Sequence, residues 1–230
     1  MSAGREGAGD DGAVGRATAG RPHVSGAVLA GGRSRRLGRD KRFVTVGGES
    51  LLTRTVGLLA AVADDVTVVV ADAGERDRIL AASATALTPP RLRTAVDARP
   101  DAGPAAGLEA ALAAAVHPWV VVLATDHPRL PLEVVALLAD AARAAEGRAA
   151  VALEGPLGPE PLLAAYRRDT AAAVGRLLDT GTRRMVDVLG ALDPVVVPHA
   201  TWSAADPDAV ALRDVDTPGD LHEDRAKDRG

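Results

Sequence analysis

The arrangement of apolar residues along this chain constrains its fold more than any other feature. From residue 23 onward, short runs of apolar, largely β-branched residues alternate with longer amphipathic segments rich in alanine and leucine. This alternation is typical of βαβ units, and continuous apolar runs of strand length indicate strands that are covered on both faces of a parallel sheet. The 230 residues suffice for one such domain and are too few for two. We therefore predict a single α/β domain with a mostly parallel sheet.

The same patterns predict the individual elements. The predicted strands are Val24–Leu29, Val66–Ala71, Thr94–Val96, Trp119–Ala124, Ala149–Leu153 and Val195–Val197. The predicted helices are Leu51–Ala63, Glu75–Ala86, Gly107–Ala115, Leu132–Ala145, Thr170–Leu178 and Met185–Leu192. Residues 198–211 are predicted to be irregular, and a last helix is predicted to begin at Thr217, with Pro218 at its first position.

Composition and charge exclude several classes of protein. The formal net charge is −4, the sequence pI is near 5.7, and the basic residues are concentrated near the start of the domain, which argues against nucleic-acid binding. The chain has no cysteine, which excludes disulfides, thiolate metal sites and cysteine nucleophiles. The absence of cysteine fits a reducing compartment, and the cytoplasm is the expected location. No apolar run approaches the roughly 18 residues of a membrane span.

Both ends of the chain are expected to lie outside the folded domain. Residues 1–22 are rich in glycine and alanine, carry mixed charges and lack the apolar core of a signal peptide. We predict that they form a disordered tail, that the domain covers residues 23–222, and that residues 223–230 are flexible.

A loop rich in glycine and positive charge follows the first predicted strand. It contains the adjacent glycines Gly31 and Gly32, and its cations are Arg33, Arg35, Arg36, Arg39, Lys41 and Arg42. Adjacent glycines let backbone N–H groups close around phosphate oxygens, and arginine and lysine add charge-assisted hydrogen bonds. The spacing is neither that of a P-loop nor G-x-G-x-x-G. We interpret the loop as a site for a multiply charged phosphate; the alternative is a solvated, arginine-rich turn.

An aspartate stands just beyond the predicted strand Trp119–Ala124. In an open parallel sheet, ligands bind outside the carboxyl ends of the strands, so Asp126 is expected at the ligand-binding edge. A carboxylate beside a phosphate site suits Mg²⁺, which prefers hard oxygen ligands and shares them with substrate phosphates. The alternative is an aspartate that only forms the turn. His127 precedes Pro128 and is interpreted as a turn residue without a functional role.

Two further acidic segments are candidates for the same site. Asp97 ends a predicted strand, and a loop rich in glycine and proline follows it as far as Gly107. Small residues permit close approach of a base or sugar, and a helix N-terminus favours an anion; an ordinary βα loop is the alternative. Asp214 and Asp216 either reach the same metal or cap the last helix.

The motifs H-E-x-x-H and G-x-S-x-G are absent from the sequence, which removes the metalloprotease and α/β-hydrolase interpretations.

Several stretches of the chain together resemble the molybdenum cofactor guanylyltransferase family. LAGGRSRRLGRDK resembles that family's LAGG-x-S-x-R-M-G-x-D-K signature, and looser matches follow in the family's order. These later stretches are DAGPAAG, LATDHPRLP, EPLLAAYRRD, GTRRMVDVL and DVDTPGDL. The resemblance spans about residues 24 to 222 and implies a single Rossmann-like nucleotidyltransferase domain.

The resemblance also implies roles for individual residues. It assigns nucleotide binding to Leu29, Ala30, Gly31, Gly32, Arg36, Lys41, Asp97 and Asp126. Lys41 is expected to contact phosphates and Asp126 to bind Mg²⁺, and these two are the expected catalytic residues. Asp97 is expected to help bind the nucleoside, and Asp216 is a second candidate metal ligand. The residues expected to hold the acceptor's phosphate are Gly181, Arg183 and Arg184.

The implied activity is transfer of GMP from GTP to molybdenum-molybdopterin, with release of pyrophosphate. The sequence departs from the family at two places. Asp214 and Asp216 stand where the family commonly has asparagines, and this pattern is closer to the cytidylyltransferases. The asparagine that often follows the second strand is also missing, because Ala71 and Asp72 occupy that region. The alternatives are therefore a molybdopterin cytidylyltransferase, a transferase acting on another small phosphorylated acceptor, or an inactive nucleotide-binding regulatory protein. A cofactor-delivery protein is kept as a candidate partner.

Overall fold

The structure is a computed structural model that describes residues 23–30, 40–83, 91–99 and 102–213. Both predicted chain ends, the loop residues 31–39 and the predicted helix at Thr217 lie outside the described residues. The candidate site residues that fall in these parts of the chain are Gly31, Gly32, Arg33, Arg35, Arg36, Arg39, Asp214 and Asp216.

Strands and helices alternate along the described chain, as the sequence predicts. The strands are β1 (Val24–Leu29), β2 (Thr45–Val46), β3 (Glu49–Ser50), β4 (Asp65–Val70), β5 (Leu92–Val96), β6 (Trp119–Ala124), β7 (Ala150–Gly155), β8 (Gly158–Arg167) and β9 (Val195–Val197). The helices are α1 (Leu51–Val62), α2 (Arg76–Ser83), α3 (Pro104–Ala114), α4 (Leu132–Ala144), α5 (Ala171–Asp179), α6 (Met185–Ala191) and α7 (His199–Trp202). Short 3₁₀ turns occupy Lys41–Phe43, Ala73–Glu75, Arg168–Thr170 and Ser203–Ala205.

Seven of these strands form one sheet, in the order β5-β4-β1-β6-β8-β7-β9. Four neighbouring pairs are parallel, and the two pairs that involve β8 are antiparallel. The predicted α/β fold with a mostly parallel sheet is therefore confirmed.

Helices cover both faces of the sheet. On one face α1, α2 and α4 bury Leu52, Ile79 and Leu138 in a common apolar cluster. On the other face α3, α5 and α6 form a second cluster that includes Leu108 and Val174. All residues of β1, β4 and β6 are buried. Burial on both faces explains why these strands appear in the sequence as continuous apolar runs.

The first strand and the first helix touch at Gly26. A Cβ atom at this position would lie 2.9 Å from the Cβ atom of Leu59 in α1, so a larger residue does not fit unless α1 moves. Leu59 is itself fully buried. The missing side chain of Gly26 therefore sets the distance between the sheet and α1.

The sequence analysis did not predict the strand β8 or the hairpin formed by β2 and β3. The ten-residue strand β8 contains Pro159 and Pro161, and prolines oppose strand formation; its alanines add little β-propensity. Pairing with β6 and β7 on its two sides outweighs these local preferences. The hairpin β2–β3 was also missed; its turn residues Gly47 and Gly48 have φ of 61° and 87°, which suits a tight hairpin turn.

Other elements differ from the prediction in their bounds, and one stretch differs in kind. Helix α3 begins at Pro104 rather than Gly107, because Gly103 has φ of 75° and proline fits the first helical position. In the predicted helix 75–86, residue 75 ends a 3₁₀ turn and residues 76–83 form α2, whereas residues 84–86 lie outside the described residues. The stretch predicted to be irregular contains α7. None of the helices in the described ranges combines the length and apolarity that crossing a membrane needs.

Candidate active site

The strands β1, β4, β5 and β6 end side by side at one edge of the sheet, here termed the carboxyl edge. Their register places their last residues at nearly the same level. Leu29 ends β1, and Ala30, Asp97 and Asp126 follow the ends of β1, β5 and β6. The fold therefore brings these four predicted site residues to one edge.

Lys41 and Asp126 form an ion pair at the carboxyl edge. The Lys41 Nζ atom lies 3.8 Å from Asp126 Oδ2, and the two side chains are 11% and 32% exposed. Lys41 begins a 3₁₀ turn that Asp40 caps, and Asp126 lies in the turn directly after β6. The two residues predicted to be catalytic are thus brought together. A strong charged hydrogen bond is about 2.7–2.9 Å long, so this contact does not saturate the Asp126 carboxylate.

The Asp126 carboxylate has properties that suit a metal ligand. Its Oδ1 atom is buried and has no hydrogen-bond partner among the described residues, while His127 Nε2 lies 3.7 Å away. A hard anionic oxygen in this state fits Mg²⁺. Within the described ranges, no group of three or more His, Cys, Asp or Glu side chains is arranged to hold a metal. A Mg²⁺ ion on Asp126 would take its other ligands from substrate phosphates, water or residues outside those ranges.

The turn that carries Asp126 is held by α1 and by its own backbone. Arg54 Nη1 donates to the Pro128 carbonyl at 2.8 Å, and the Leu130 N–H donates to the His127 carbonyl at 3.3 Å. His127 is a turn residue, as interpreted from the sequence, but its imidazole also lies beside Asp126. The sequence analysis did not predict this contact. The only signal for it in the sequence is that His127 directly follows Asp126.

Asp97 lies on a turn that two helices fix. Its N–H donates to the Val70 carbonyl at 2.9 Å, and its Oδ1 accepts from the Arg99 N–H at 2.8 Å. Burial raises the pKa of the Asp97 carboxyl, although the hydrogen bond from Arg99 opposes this effect. The Arg99 side chain donates to Glu109 of α3 at 2.7 Å and to Asp179 of α5 at 2.6 Å. Sequence reasoning did not single out Arg99.

Helix α3 directs its N-terminus to the same edge. It follows β5 through the Asp97 turn, and Pro104 is its first residue. A Cβ atom on Gly107 would lie 3.6 Å from Leu29 Cδ2, so the helix packs closely against β1. The first N–H groups of a helix lack helical acceptors and lie at the positive end of its dipole. This end of α3 is therefore suited to face a negatively charged ligand.

Arg42 differs from the expectation that it binds phosphate. Its Nε donates to Asp40 at 2.8 Å, and its Nη2 donates to Asp40 at 2.7 Å and to Glu75 at 2.5 Å. Its Nη1 donates to Glu75 at 2.9 Å and to the Ala30 carbonyl at 3.3 Å. These contacts use all five N–H donors of the guanidinium. In this arrangement Arg42 has no N–H donor left for a phosphate, because two carboxylates and a carbonyl already accept from all five donors.

Gly181, Arg183 and Arg184 lie in the turn between α5 and α6. Gly181 has φ of 93° and donates its N–H to the Leu178 carbonyl at 3.0 Å, which ends α5 with a left-handed glycine. Arg183 Nη1 donates to the same carbonyl at 2.6 Å, whereas the Arg184 side chain is 77% exposed. A Cβ atom on Gly103 would lie 3.9 Å from the Arg183 carbonyl oxygen, so this turn borders the start of α3. Gly181 and Arg183 thus shape the helix end, and Arg184 faces solvent.

Known proteins share both the sequence pattern and the fold. A model of the MobA-like NTP transferase domain matches residues 26–195. A probable molybdenum cofactor guanylyltransferase of Chloroflexus aggregans is 34% identical over 201 residues, which are 86% of this chain and 91% of that protein.

Solved structures share the fold of this chain. Molybdopterin-guanine dinucleotide biosynthesis protein A of Archaeoglobus fulgidus aligns with a TM-score of 0.73 at 26% identity, over 89% of this chain and 98% of that one. The 2-C-methyl-D-erythritol 4-phosphate cytidylyltransferase of Thermus thermophilus has a TM-score of 0.61 at 20% identity, over 90% of this chain and 100% of that one, and shares the fold.

The matching family model, the curated relative and the shared fold together identify this chain as a nucleotidyltransferase. The chain belongs to the family of MobA-like NTP transferases. The predicted family and enzyme class are therefore confirmed.

Proposed function

We propose that this protein transfers GMP from GTP to the terminal phosphate of a molybdopterin that carries molybdenum, and that it releases pyrophosphate. The observation that carries the proposal is the Lys41–Asp126 pair, 3.8 Å apart at the carboxyl edge, on the same edge as Asp97. This edge offers a cation for phosphates, a carboxylate for a metal and a second carboxylate for the nucleoside. The names of the relatives in Chloroflexus aggregans and Archaeoglobus fulgidus support the choice of GTP and molybdopterin as substrates.

The reaction needs charge stabilisation more than proton transfer. An oxygen of the acceptor phosphate attacks the α-phosphorus of GTP in line and forms a new P–O bond. The bond from the α-phosphorus to the bridging oxygen breaks, and its electron pair leaves with pyrophosphate. Because the attacking oxygen is already anionic, no general base is required. Lys41 is suited to bind phosphate oxygens in both the ground state and the transition state.

Asp126 is proposed to hold Mg²⁺, with Asp216 as a second candidate ligand. When bound, the ion would neutralise charge on the phosphates. The contribution of the protein is a fixed turn: Arg54 donates to the Pro128 carbonyl and thereby ties the Asp126 turn to α1. The same turn keeps the carboxylate within reach of Lys41.

The remaining predicted residues have proposed places in the two substrate sites. The nucleotide site would consist of Leu29, Ala30, Gly31, Gly32, Arg36, Lys41, Asp97 and Asp126. Arg184 is proposed to contact the acceptor's phosphate, because its side chain is exposed in the turn that borders α3. Gly181 and Arg183 would shape that turn. The cytoplasmic location and a cofactor-delivery protein stay predictions.

GTP is proposed over CTP because the stretch LGRDK, in the nucleotide loop, resembles the guanylyltransferases. Asp214 and Asp216 resemble the cytidylyltransferases instead, which makes a molybdopterin cytidylyltransferase the second candidate. A site that pairs with a guanine edge leaves polar groups unpaired when it binds the smaller cytosine. Such mismatches are worth on the order of a hundredfold in kcat/KM.

Pyrophosphate release from each NTP, with Mg²⁺ and with or without molybdenum-loaded molybdopterin, tests this function. The expected result is release that depends on the acceptor and favours GTP. A dominant cytidylyl product would replace GTP by CTP and leave the transfer reaction standing. Absence of acceptor-dependent release with every NTP would overturn the proposed function.

A further inference from the structure

Arg99 links the Asp97 turn to both helices that pack beside it. Its backbone N–H donates to Asp97 Oδ1 at 2.8 Å. Its guanidinium donates to Glu109 of α3 through Nε at 2.7 Å and Nη2 at 3.2 Å, and to Asp179 of α5 through Nη1 at 2.6 Å. Asp97 directly follows β5, and Asp179 is the last residue of α5. One side chain therefore connects the turn after a strand to two helices.

The pair formed by Arg99 and Glu109 has a defined geometry. Two N–H groups of the guanidinium meet the two carboxylate oxygens, and such a forked pair fixes direction as well as distance. The Asp179 side chain is 63% exposed, against 26% for Glu109, so solvent weakens the contact with Asp179 more. Glu109 is therefore the main anchor of Arg99.

Gly175 in α5 leaves room for this pair. A Cβ atom on Gly175 would lie 2.5 Å from Glu109 Oε1 and 3.7 Å from Arg99 Nη2. Glycine is unfavourable inside a helix, yet α5 has a buried glycine at the position where the pair lies. The interface between α3 and α5 is thus shaped around the ion pair.

The charge of Arg99 also acts on Asp97. Burial raises the pKa of the Asp97 carboxyl, the N–H and the positive charge of Arg99 lower it, and the negative charge of Glu109 raises it. Because Arg99 offsets the repulsion between the two carboxylates, it favours the ionised form of Asp97. An ionised carboxylate only accepts hydrogen bonds, as the N–H and O–H groups of a nucleoside require.

We infer that Arg99 is a positioning residue for the nucleoside, which holds the Asp97 carboxylate in a fixed place relative to α3 and α5 before nucleotide binds. The inference rests on the proposed function, because it takes Asp97 as a nucleoside ligand. The Asp97 N–H joins the turn to the sheet by donating to the Val70 carbonyl at 2.9 Å, and Arg99 adds the connection to the helices. A group that is already in place loses less conformational freedom when its ligand binds, which raises the affinity.

The substitution Arg99→Gln tests the inference, because it removes the charged fork and keeps the backbone N–H that donates to Asp97. A contact with the nucleoside is present in both the ground state and the transition state, so the loss is expected in affinity more than in kcat. The dissociation constant for GTP with Mg²⁺, measured by calorimetry, is expected to rise roughly tenfold. Inorganic triphosphate has no nucleoside, so its affinity should change less. Equal weakening of both probes, or unchanged GTP affinity, would overturn the inference.

Two further variants separate positioning from a general loss of structure. Arg99→Lys keeps the charge without the fork, and its GTP affinity is expected to lie between those of Arg99→Gln and wild type. If Arg99 acts through Asp97, adding Arg99→Gln to an Asp97→Asn protein should weaken GTP binding little further, whereas independent effects add. Effects of the two substitutions that add in full would overturn the inference.

Arg143→Gln is the matched control, because Arg143 also joins two helices. Its Nη2 donates to the Val62 carbonyl at the end of α1, and its Nη1 donates to Asp140 of α4, both at 2.9 Å. Helix α1 ends just before β4 begins, so this link lies at the edge of the sheet opposite to Asp97. The control is expected to lower the melting temperature and to leave the GTP dissociation constant unchanged. A loss of affinity equal to that of Arg99→Gln would overturn the inference.

Failure of this inference and failure of the proposed function give different results. A wild type that binds GTP but releases no pyrophosphate with the acceptor would overturn the proposed transfer. The difference in GTP affinity between wild type and Arg99→Gln would still support the inference. CTP serves as the probe if wild type binds it more tightly than GTP, and a wild type that binds neither nucleotide would overturn both proposals.

Discussion

Two aspartates, at the two strands that flank β1 in the sheet, have opposite surroundings. Asp65, at the beginning of β4, accepts from the Ser25 hydroxyl at 2.8 Å and is paired with Arg93. Asp126, just after β6, lies 3.8 Å from Lys41, and its Oδ1 has no hydrogen-bond partner within the described ranges. Buried polar atoms are nearly always hydrogen-bonded, so an exception needs a ligand or a functional reason. The comparison separates a carboxylate whose contacts are made within the fold from one whose Oδ1 is available for the proposed metal ion.

The largest expected effect is on catalysis, from Asp126→Asn. This substitution removes the negative charge of the proposed metal ligand and keeps the side-chain volume, so pyrophosphate release should fall on the order of a hundredfold or more. The melting temperature should stay close to that of wild type, because Oδ1 makes no hydrogen bond with the described part of the chain. Near-wild-type turnover at saturating Mg²⁺ would remove Asp126 as the metal residue.

Lys41→Ala should weaken GTP binding and transfer together. If the ammonium contacts phosphates in both the ground and transition states, its loss raises KM and lowers kcat, by on the order of tenfold to a hundredfold in kcat/KM. Steady-state kinetics of pyrophosphate release over a range of GTP concentrations measures both constants. Unchanged constants would move the phosphate site to the arginines of residues 31–39.

Asp65→Asn should show the reverse pattern, with lower stability and unchanged transfer. The substitution leaves Arg93 without its charged partner, and because Arg93 is 38% exposed, solvent limits the loss to about 1–3 kcal/mol of unfolding free energy. Urea denaturation followed by circular dichroism measures this loss. A stable variant with impaired transfer would contradict the division of roles between Asp65 and Asp126.

The smallest expected effect on stability comes from Asp97→Asn. Because burial raises the pKa of Asp97, the folded state binds this proton more tightly than the unfolded state, and wild type gains stability as the pH falls through the raised pKa. The variant removes the partly buried charge, so it should be slightly more stable than wild type at neutral pH, and the difference should shrink in acid. Melting temperatures between pH 7 and about pH 4 test the sign. A variant that is less stable at neutral pH would show that the hydrogen bond to Arg99 outweighs burial.

Sequence patterns were sufficient for elements whose signals are local. The strands β1, β6 and β9 have the bounds predicted for them, because each is an apolar run with clear ends. The strand β8 was not predicted, since Pro159 and Pro161 oppose strand formation locally and its stability comes from partners on both sides.

The site shows the same limit. Asp97 and Asp126 could be placed at one edge, because the carboxyl ends of parallel strands meet there. The sequence shows how many cations surround the loop, but not which of them are neutralised. Arg42 lies 33 positions from Glu75, and no periodic pattern links the two residues. Only the structure shows that protein acceptors already use the N–H donors of Arg42.

The contact between Gly26 and α1 has a mechanical consequence for catalysis. Leu59 rests where a Gly26 side chain would be, and the same helix carries Arg54, which holds the Pro128 carbonyl of the Asp126 turn. Thickening the interface at Gly26 by one methyl group would push α1 outward, and the displacement would pass along the helix to that turn. The position of the Asp126 carboxylate is thus set in part by Gly26, a residue with no side chain that is buried beneath the proposed active site.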